Sequence, residues 1–497
     1  MEGARETVHN ELVWIRYGTS LFLLDSLVKS NILLLFSVSL LWLHSQLPAE
    51  DVAAVRTGGG WQAGVAVAEI TPQAPIMLEG FASRREPARE KETDLFAKAL
   101  ALQDAHGTRL VMITMDLIGI PRPLRERVSR RIEDRYQLPP ASLLMNASHT
   151  HCGPELRMTE TALEELTPQR QKRTKEYCAR LEDALCGLVG RALGMLRPAE
   201  LRYSHARAGF AMNRRLQNSD PSGEPYLNHP NPDGLVDHSV PVLQVLWQGG
   251  KRAVLFGYAC HNTTLYVNRY AGDYAGYAQQ FLEEDYPGTT ALFLSGCGGD
   301  QSGYPRGTVE QSRRHGRTLA TAVEAAWGNR QTIIRGPLVT KWERVTIEYQ
   351  TPPTRAQLAA HLAADHAESS FRDYELTRPH AKRLLRELVR HGKLRTSYDY
   401  PVQTLQLGNQ LLVIALAGEV VVDYALRLKR ELAGRCAVWV SGYNNDVFAY
   451  IPSRRLLLEG GYEPRRSMNY YTTTVQPGPF AHSIEDRIVE KVHELLR

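Results

Sequence analysis

The stretch "ASLLMNASHTHCGPELR", Ala141–Arg157, carries the two signals that decide the fold. An apolar run, Leu143 to Met145, gives way at once to polar residues and a Gly-Pro stop. That is the signature of a buried strand ending in a loop. Just upstream, "LRERVSRRIEDRY" (Leu124–Tyr136) has the spacing of an amphipathic helix, and "RLVMITMDLIGI" (Arg109–Ile120) is apolar enough to be a strand buried on both faces. Strand, helix, strand at this spacing predicts an α/β fold with a mixed or parallel sheet.

Working outward, "WQAGVAVAEITP" (Trp61–Pro72) and "FAKALALQDA" (Phe96–Ala105) read as strands. A long helix is expected over about Arg170–Leu196, with Tyr177, Leu181, Leu185, Leu188 and Leu193 on one stripe. Further strands are expected at Pro241–Gln248, Arg252–Cys260 and Thr290–Gly296, and a hairpin turns at "GNQ" within Tyr400–Glu419. "AVWVSGYNNDVFAYIP" (Ala437–Pro452) is the last core strand with its loop. Pro352–Leu394 reads as an exposed helical excursion whose histidines, His361, His366, His380 and His391, lie at the surface. A closing helix begins at Ser483, with Asp486 completing a capping box. The expectation is one large α/β domain over residues 57–497: a mixed β-sheet flanked by helices, with the active site at strand ends.

The chain has 497 residues and a net charge of +5. That charge is spread thinly, so nucleic-acid binding is not expected. None of the six cysteines forms a C-x-x-C pair, which argues against a cysteine zinc site. Ile32–Leu43, "ILLLFSVSLLWL", is 12 residues long and suits a signal-peptide core better than a membrane span. The acidic stretch before it does not suit a signal peptide, which would be explained by translation starting near Val28. Residues 1–56 are thus expected to be a signal peptide or anchor plus linker. The body would work secreted, periplasmic or anchored to the outer face of a membrane, with association at the membrane surface.

Chemistry concentrates at five strand endings: "NASHTHCGP", "GYACHNTTL", "LSGCGGDQSGYPR", "LAGEVVVDY" and "NNDVFAYIP". In an extended segment His149 and His151 would point the same way. His261 follows another buried strand. Glu419 is either a charge at the start of the helix after it or a metal ligand. Tyr450 is a core aromatic or an oxygen ligand. The glycines near Ser302 would let backbone approach a ligand and leave Ser302 exposed in a sharp turn, but the spacing fits neither a nucleotide loop nor a serine-hydrolase elbow. Two histidines, a glutamate and a tyrosine oxygen could hold Zn2+, whose chemistry is amide or ester hydrolysis. A metallophosphoesterase would want more aspartates than Asp116 and Asp300 at strand ends.

These motifs, in this order, resemble the neutral/alkaline ceramidase family over roughly Gly64 to Leu496. "SHTHCGP", "CHNTT", "GDQSGYP", "AGE" and "NNDVFAYIP" carry the resemblance, with "AVAEITP", "AMNRR" and "NPDGLVDHSVPVLQV" in support. The resemblance implies zinc ligands at His149, His261, Glu419 and Tyr450. It implies acid–base work by His151, a catalytic role for Ser302, and donation to the substrate's polar end by Arg214. It implies a lipid-like N-acyl amide such as ceramide as substrate. Two departures stand out. Leu458 occupies a family tyrosine position, for which Tyr462 could stand in, and the chain is expected to lack the C-terminal β-sandwich of longer members. These departures keep open a non-ceramide amide or ester, or a non-catalytic member.

Overall fold

The computed structural model describes residues 60–220, 223–364 and 376–497. The expected N-terminal leader and His366 lie outside the described residues. In chain order the strands are β1 (Trp61–Glu69), β2 (Phe96–Gln103), β3 (Arg109–Met115), β4 (Leu143–Ala147), β5 (Arg197–Arg207), β6 (Ala211–Gln217), β7 (Tyr226–Asn231), β8 (Ser239–Leu246), β9 (Arg252–Tyr258) and β10 (Thr289–Ser295). They continue as β11 (Gln301–Gly303), β12 (Thr332–Ile333), β13 (Leu338–Glu348), β14 (Ser397–Leu407), β15 (Leu411–Leu416), β16 (Glu419–Val420), β17 (Ala437–Ser441) and β18 (Tyr450–Ile451).

Two sheets form the centre, not one. The larger runs β10-β9-β8-β5-β1-β2-β3-β4, with β12 beside β5; the smaller runs β13-β14-β15-β17. Both are mixed: β3/β4, β9/β10 and β15/β17 are parallel, and their neighbours are antiparallel. The sheets pack face to face through one apolar layer. Trp61, Leu100, Met112 and Leu255 from the first sheet meet Leu405, Val413 and Trp439 from the second. Helices cover the outer faces. Arg122–Tyr136 and Pro168–Gly194 pack on one half of the large sheet, and Asp273–Asp285 and Val309–Trp327 on the other. Val422–Glu431 and Ile484–Leu495 cover the small sheet. The result is helix, sheet, sheet, helix. Each sheet is apolar on both faces, which is why β3, β4, β9 and β15 read as unbroken apolar runs and not as alternating ones.

The α/β class and most elements fall where the sequence puts them. Two further local expectations fail here. His380 is fully buried, with Nε2 2.8 Å from Gln476 O, because its helix (Arg378–His391) packs on residues around Val475. The Ser483 side chain makes no capping hydrogen bond, since its backbone is already helical. Among the described residues no helix is long and apolar enough to cross a membrane. All six cysteines are free.

Candidate metal centre and active site

The polar strand endings converge because buried amides and hydroxyls tie them together. Asn146, the fourth residue of β4, donates to Gly442 O and Asn444 Oδ1, each at 2.9 Å, and accepts from Ser295 N at 3.0 Å. Ser441 Oγ donates to Ser295 O at 2.7 Å. The ends of β4, β10 and β17 are thereby clasped across the two sheets. The five endings therefore come from both sheets, not from one.

His149 does not continue its strand. β4 ends at Ala147, and His149 adopts φ +61°. That left-handed conformation costs a non-glycine residue about 1–3 kcal/mol and persists only where its surroundings impose it. Here His149 N donates to Leu117 O at 2.9 Å. His149 and His151 do face one cavity, as the spacing implies, but through this kink and not through strand alternation. Their Nε2 atoms lie 3.2 Å apart.

The hydrogen-bond roles define the centre. His149 Nδ1 lies 2.7 Å from Ile118 O, and His261 Nδ1 lies 2.7 Å from Gly298 O. A carbonyl only accepts, so each Nδ1 carries the proton. Burial, then Arg214, pushes His261 down to about 3, so its ring is neutral at pH 7 and its Nε2 is a bare lone pair. Glu419 Oε2 lies 3.0 Å from His149 Nε2 and 3.1 Å from His261 Nε2. Oε2 is buried and makes no hydrogen bond of acceptable geometry; Oε1 accepts from Tyr471. Glu419 Oε2 therefore faces the Nε2 atoms of two imidazoles whose Nδ1 protons are held by carbonyls. A cation can satisfy such a set. The ring nitrogens of His149, His151 and His261 lie within 4.8 Å of one another, a group that could bind a metal ion. Glu419 is thus turned to the histidines, and the first acid of the following helix is Asp423.

Tyr450 completes the cluster. It pairs with Glu419 across β16/β18, and its hydroxyl lies 2.9 Å from His261 Nε2. Arg214, buried in β6, donates to that hydroxyl at 3.0 Å, to Gly299 O at 2.8 Å and to Glu463 at 3.0 Å. Its fork is aimed at the tyrosine. His151 stands beside the cluster with a buried, unpartnered Nδ1. Desolvation first, and then His149 and His261, hold its ring well below the usual value, so it is a neutral base. Gly80 (φ +104°) presses on it so closely that a Cβ there would come 2.3 Å from His151 Nδ1.

Ser302 is neither exposed nor in a turn. It lies in β11, fully buried, and its Oγ has no partner. A parallel bridge sets it beside His261, so the two side chains leave the same face. The glycines before it serve chain-to-chain contact: a Cβ on Gly299 would meet Glu419 O at 2.6 Å. Asp116 and Asp300 spend their carboxylates on the backbone amides of Phe96 and Val422. A cavity of about 610 Å3 opens onto His149, His151, Glu419 and Tyr450, with Phe81 and Tyr462 in its wall. Tyr462 lies 5.6 Å from the Tyr450 ring, whereas Leu458 is 65% exposed. Sequence reasoning missed Tyr471, Tyr443 (ring 4.5 Å from His149) and Glu463. Tyr443 follows an apolar strand in "SGYNND" and could have been found; "NYY" before Thr472 carried no such signal.

A histidine cluster that could bind a metal ion lies on the floor of an open cavity, a layout that metal-assisted hydrolases share. Residues 61–350 match the family described as neutral/alkaline non-lysosomal ceramidase, N-terminal, and the chain belongs to that family. Two solved structures share the fold. One is a neutral ceramidase from Pseudomonas aeruginosa, with TM-score 0.64 and 20% identity, over 88% of this chain and 75% of that one. The other is a ceramidase complexed with C2, with TM-score 0.63 and 19% identity, over 88% and 76%. No curated protein matches the chain. Glu419 and Tyr450 lie beyond the family match, so their place in the cluster rests on the geometry.

Proposed function

We propose that this chain is a zinc-dependent amidohydrolase that cleaves the amide of an N-acyl lipid, ceramide or a relative, into fatty acid and amine. The observation that carries this reading is the convergence of His149 Nε2, His261 Nε2 and Glu419 Oε2, with both Nδ1 atoms held by backbone carbonyls. Two imidazoles, a carboxylate and the Tyr450 oxygen suit zinc. Zinc, when bound, polarises an amide carbonyl and lowers the pKa of a water toward about 7.

The side chains supply the rest. Arg214 fixes the Tyr450 hydroxyl and so keeps a fourth ligand oriented. Neutral His151 takes a proton as the new C–O bond forms and returns it to the amine nitrogen as the C–N bond breaks. The unpartnered Ser302 hydroxyl, beside His261, bonds the reacting amide. The apolar segment Ile32–Leu43 supports a location outside the cytoplasm, at or near a membrane surface; mass spectrometry that finds residues 5–16 in the mature protein would argue against export.

The test is elemental analysis alongside hydrolysis of a fluorescent short-chain ceramide, with and without chelator. About one zinc per chain and chelator-sensitive cleavage is the expected result. Zinc without cleavage of any N-acyl amide would refute the amidase, and absence of zinc after loading would refute the centre.

A further inference from the structure

The two oxygens of Glu419 have different partners. Oε2 faces His149 Nε2 at 3.0 Å and His261 Nε2 at 3.1 Å, whereas Oε1 accepts from the Tyr471 hydroxyl. Glu419 and Tyr471 both line the cavity. The last torsion of a glutamate is broad, so an unheld carboxylate samples many settings. Only some of them aim one oxygen at both imidazoles. With Oε1 held by Tyr471, Oε2 stays aimed. A ligand whose orientation is set before binding loses less freedom when it binds.

Tyr471 donates from a place that the fold secures. It lies in a strap, residues 469–476, fastened at both ends to the helix Arg378–His391 and its cap. Asn469 Oδ1 accepts from Thr377 N at 3.0 Å, and Asn469 O accepts from Arg383 Nη1 at 2.9 Å. Gln476 O accepts from His380 Nε2 at 2.8 Å, and Gln476 Nε2 donates to Phe448 O at 3.2 Å. Val475 packs with Ala381 and Leu384 of the same helix. The Tyr471 ring meets the Tyr450 ring edge-on, with centroids 6.3 Å apart. The helical excursion thus backs the cavity: it holds the strap, and the strap carries the hydroxyl to Glu419. Partners of this kind behind a ligand fix its direction and strengthen its hold on a metal.

We propose that Tyr471 is a positioning residue of the metal centre: by holding Oε1 it keeps Oε2 of Glu419 turned to the site between His149 and His261. The inference rests on the zinc reading above and adds to it a residue that touches no metal.

The experiment measures zinc affinity of the full chain by competition titration, which needs no turnover and no knowledge of the amide cleaved. Tyr471→Phe is made in three backgrounds: wild type, Glu419→Ala and Tyr450→Phe. Phenylalanine removes the hydroxyl and keeps the ring, and thermal melts in chelator confirm that each variant folds. In the wild-type background the substitution should weaken zinc binding about 10- to 100-fold. In Glu419→Ala there is no carboxylate to hold, so the step should shrink to less than about 3-fold. In Tyr450→Phe, which keeps Glu419, the full step should remain. This pattern assigns the effect to Glu419 and not to ring packing. An unchanged affinity in Tyr471→Phe, or a step of equal size with and without Glu419, overturns the proposal. A step that vanishes in Tyr450→Phe overturns it as well, since the tyrosine would then act through its neighbour's ring. A wild type that takes up no zinc refutes the metal centre and this role together. A wild type that binds zinc no better than Tyr471→Phe refutes the role alone.

Discussion

Replacing Glu419 by glutamine separates a metal centre from a cluster of buried ion pairs, because the two predict opposite signs. If protons sat on the Nε2 atoms, His149 and His261 would be cations paired to Glu419 at 3.0 and 3.1 Å. Removing the carboxylate's charge would then strand them, at a cost of about 3–5 kcal/mol. If each ring instead carries only the Nδ1 proton that its carbonyl contact holds, both Nε2 atoms are bare. In the metal-free protein the Glu419→Gln amide can turn its NH2 toward those lone pairs and its oxygen toward the Tyr471 hydroxyl. One or two new hydrogen bonds then replace facing acceptors, a gain of about 1–2 kcal/mol. With the metal bound the sign reverses. A lost anionic ligand weakens binding, and a ligand present at about 1,000 times its Kd contributes about 4 kcal/mol to stability. Denaturant melts of wild type and Glu419→Gln, each in chelator and with saturating zinc, give all four values. The variant should be the more stable protein in chelator and the less stable one in zinc. A variant destabilised by several kcal/mol in chelator would refute the bare-lone-pair assignment and the metal centre built on it.

Ser302→Ala should keep its zinc and its stability, since the Oγ it removes is buried without a partner, while kcat falls at least 100-fold; near-normal turnover would remove Ser302 from the chemistry. Arg214→Gln should fold, because Glu463 keeps its 2.6 Å contact to Arg215, but zinc affinity should drop about 10- to 100-fold in a competition titration as Tyr450 loses its orienting donor. Burial pushes Asp116 up to about 6 and Asp300 up to about 7. An acid raised in the folded state stabilises fully below its unfolded value and loses that contribution as pH rises through the folded one. Stability in chelator should therefore fall between about pH 4 and 7, by at most about 3 and 4 kcal/mol for the two groups. Asp300→Asn should flatten the upper part of that fall, which urea melts across the pH range would detect.

The candidate ligand positions were legible because each sits just past an apolar run, and strand ends in α/β folds are where backbone order hands side chains to a cavity. His149, His261 and Glu419 owe their meeting to β4, β9 and β15, all visible as runs of Leu, Val, Ile and Phe. What the runs could not carry was orientation. Nothing in "ASHTH" announces φ +61° at His149; that angle is imposed by Leu117 O, on a different strand's exit. Nor could local pattern tell His380 from the surface histidines around it, because its burial depends on Gln476, 96 residues away. The same limit hid the supporting shell. Glu463 acts on Arg214 across 249 positions and Tyr471 on Glu419 across 52, and each sits in an irregular loop with no period to read. Substrate preference belongs to this second kind of information. The residues that could hold a metal are written at strand ends. Arg157 and Arg170, which line the cavity, look in sequence like ordinary solvated arginines, and only the sharing of one buried Glu155 between them brings them to the same wall.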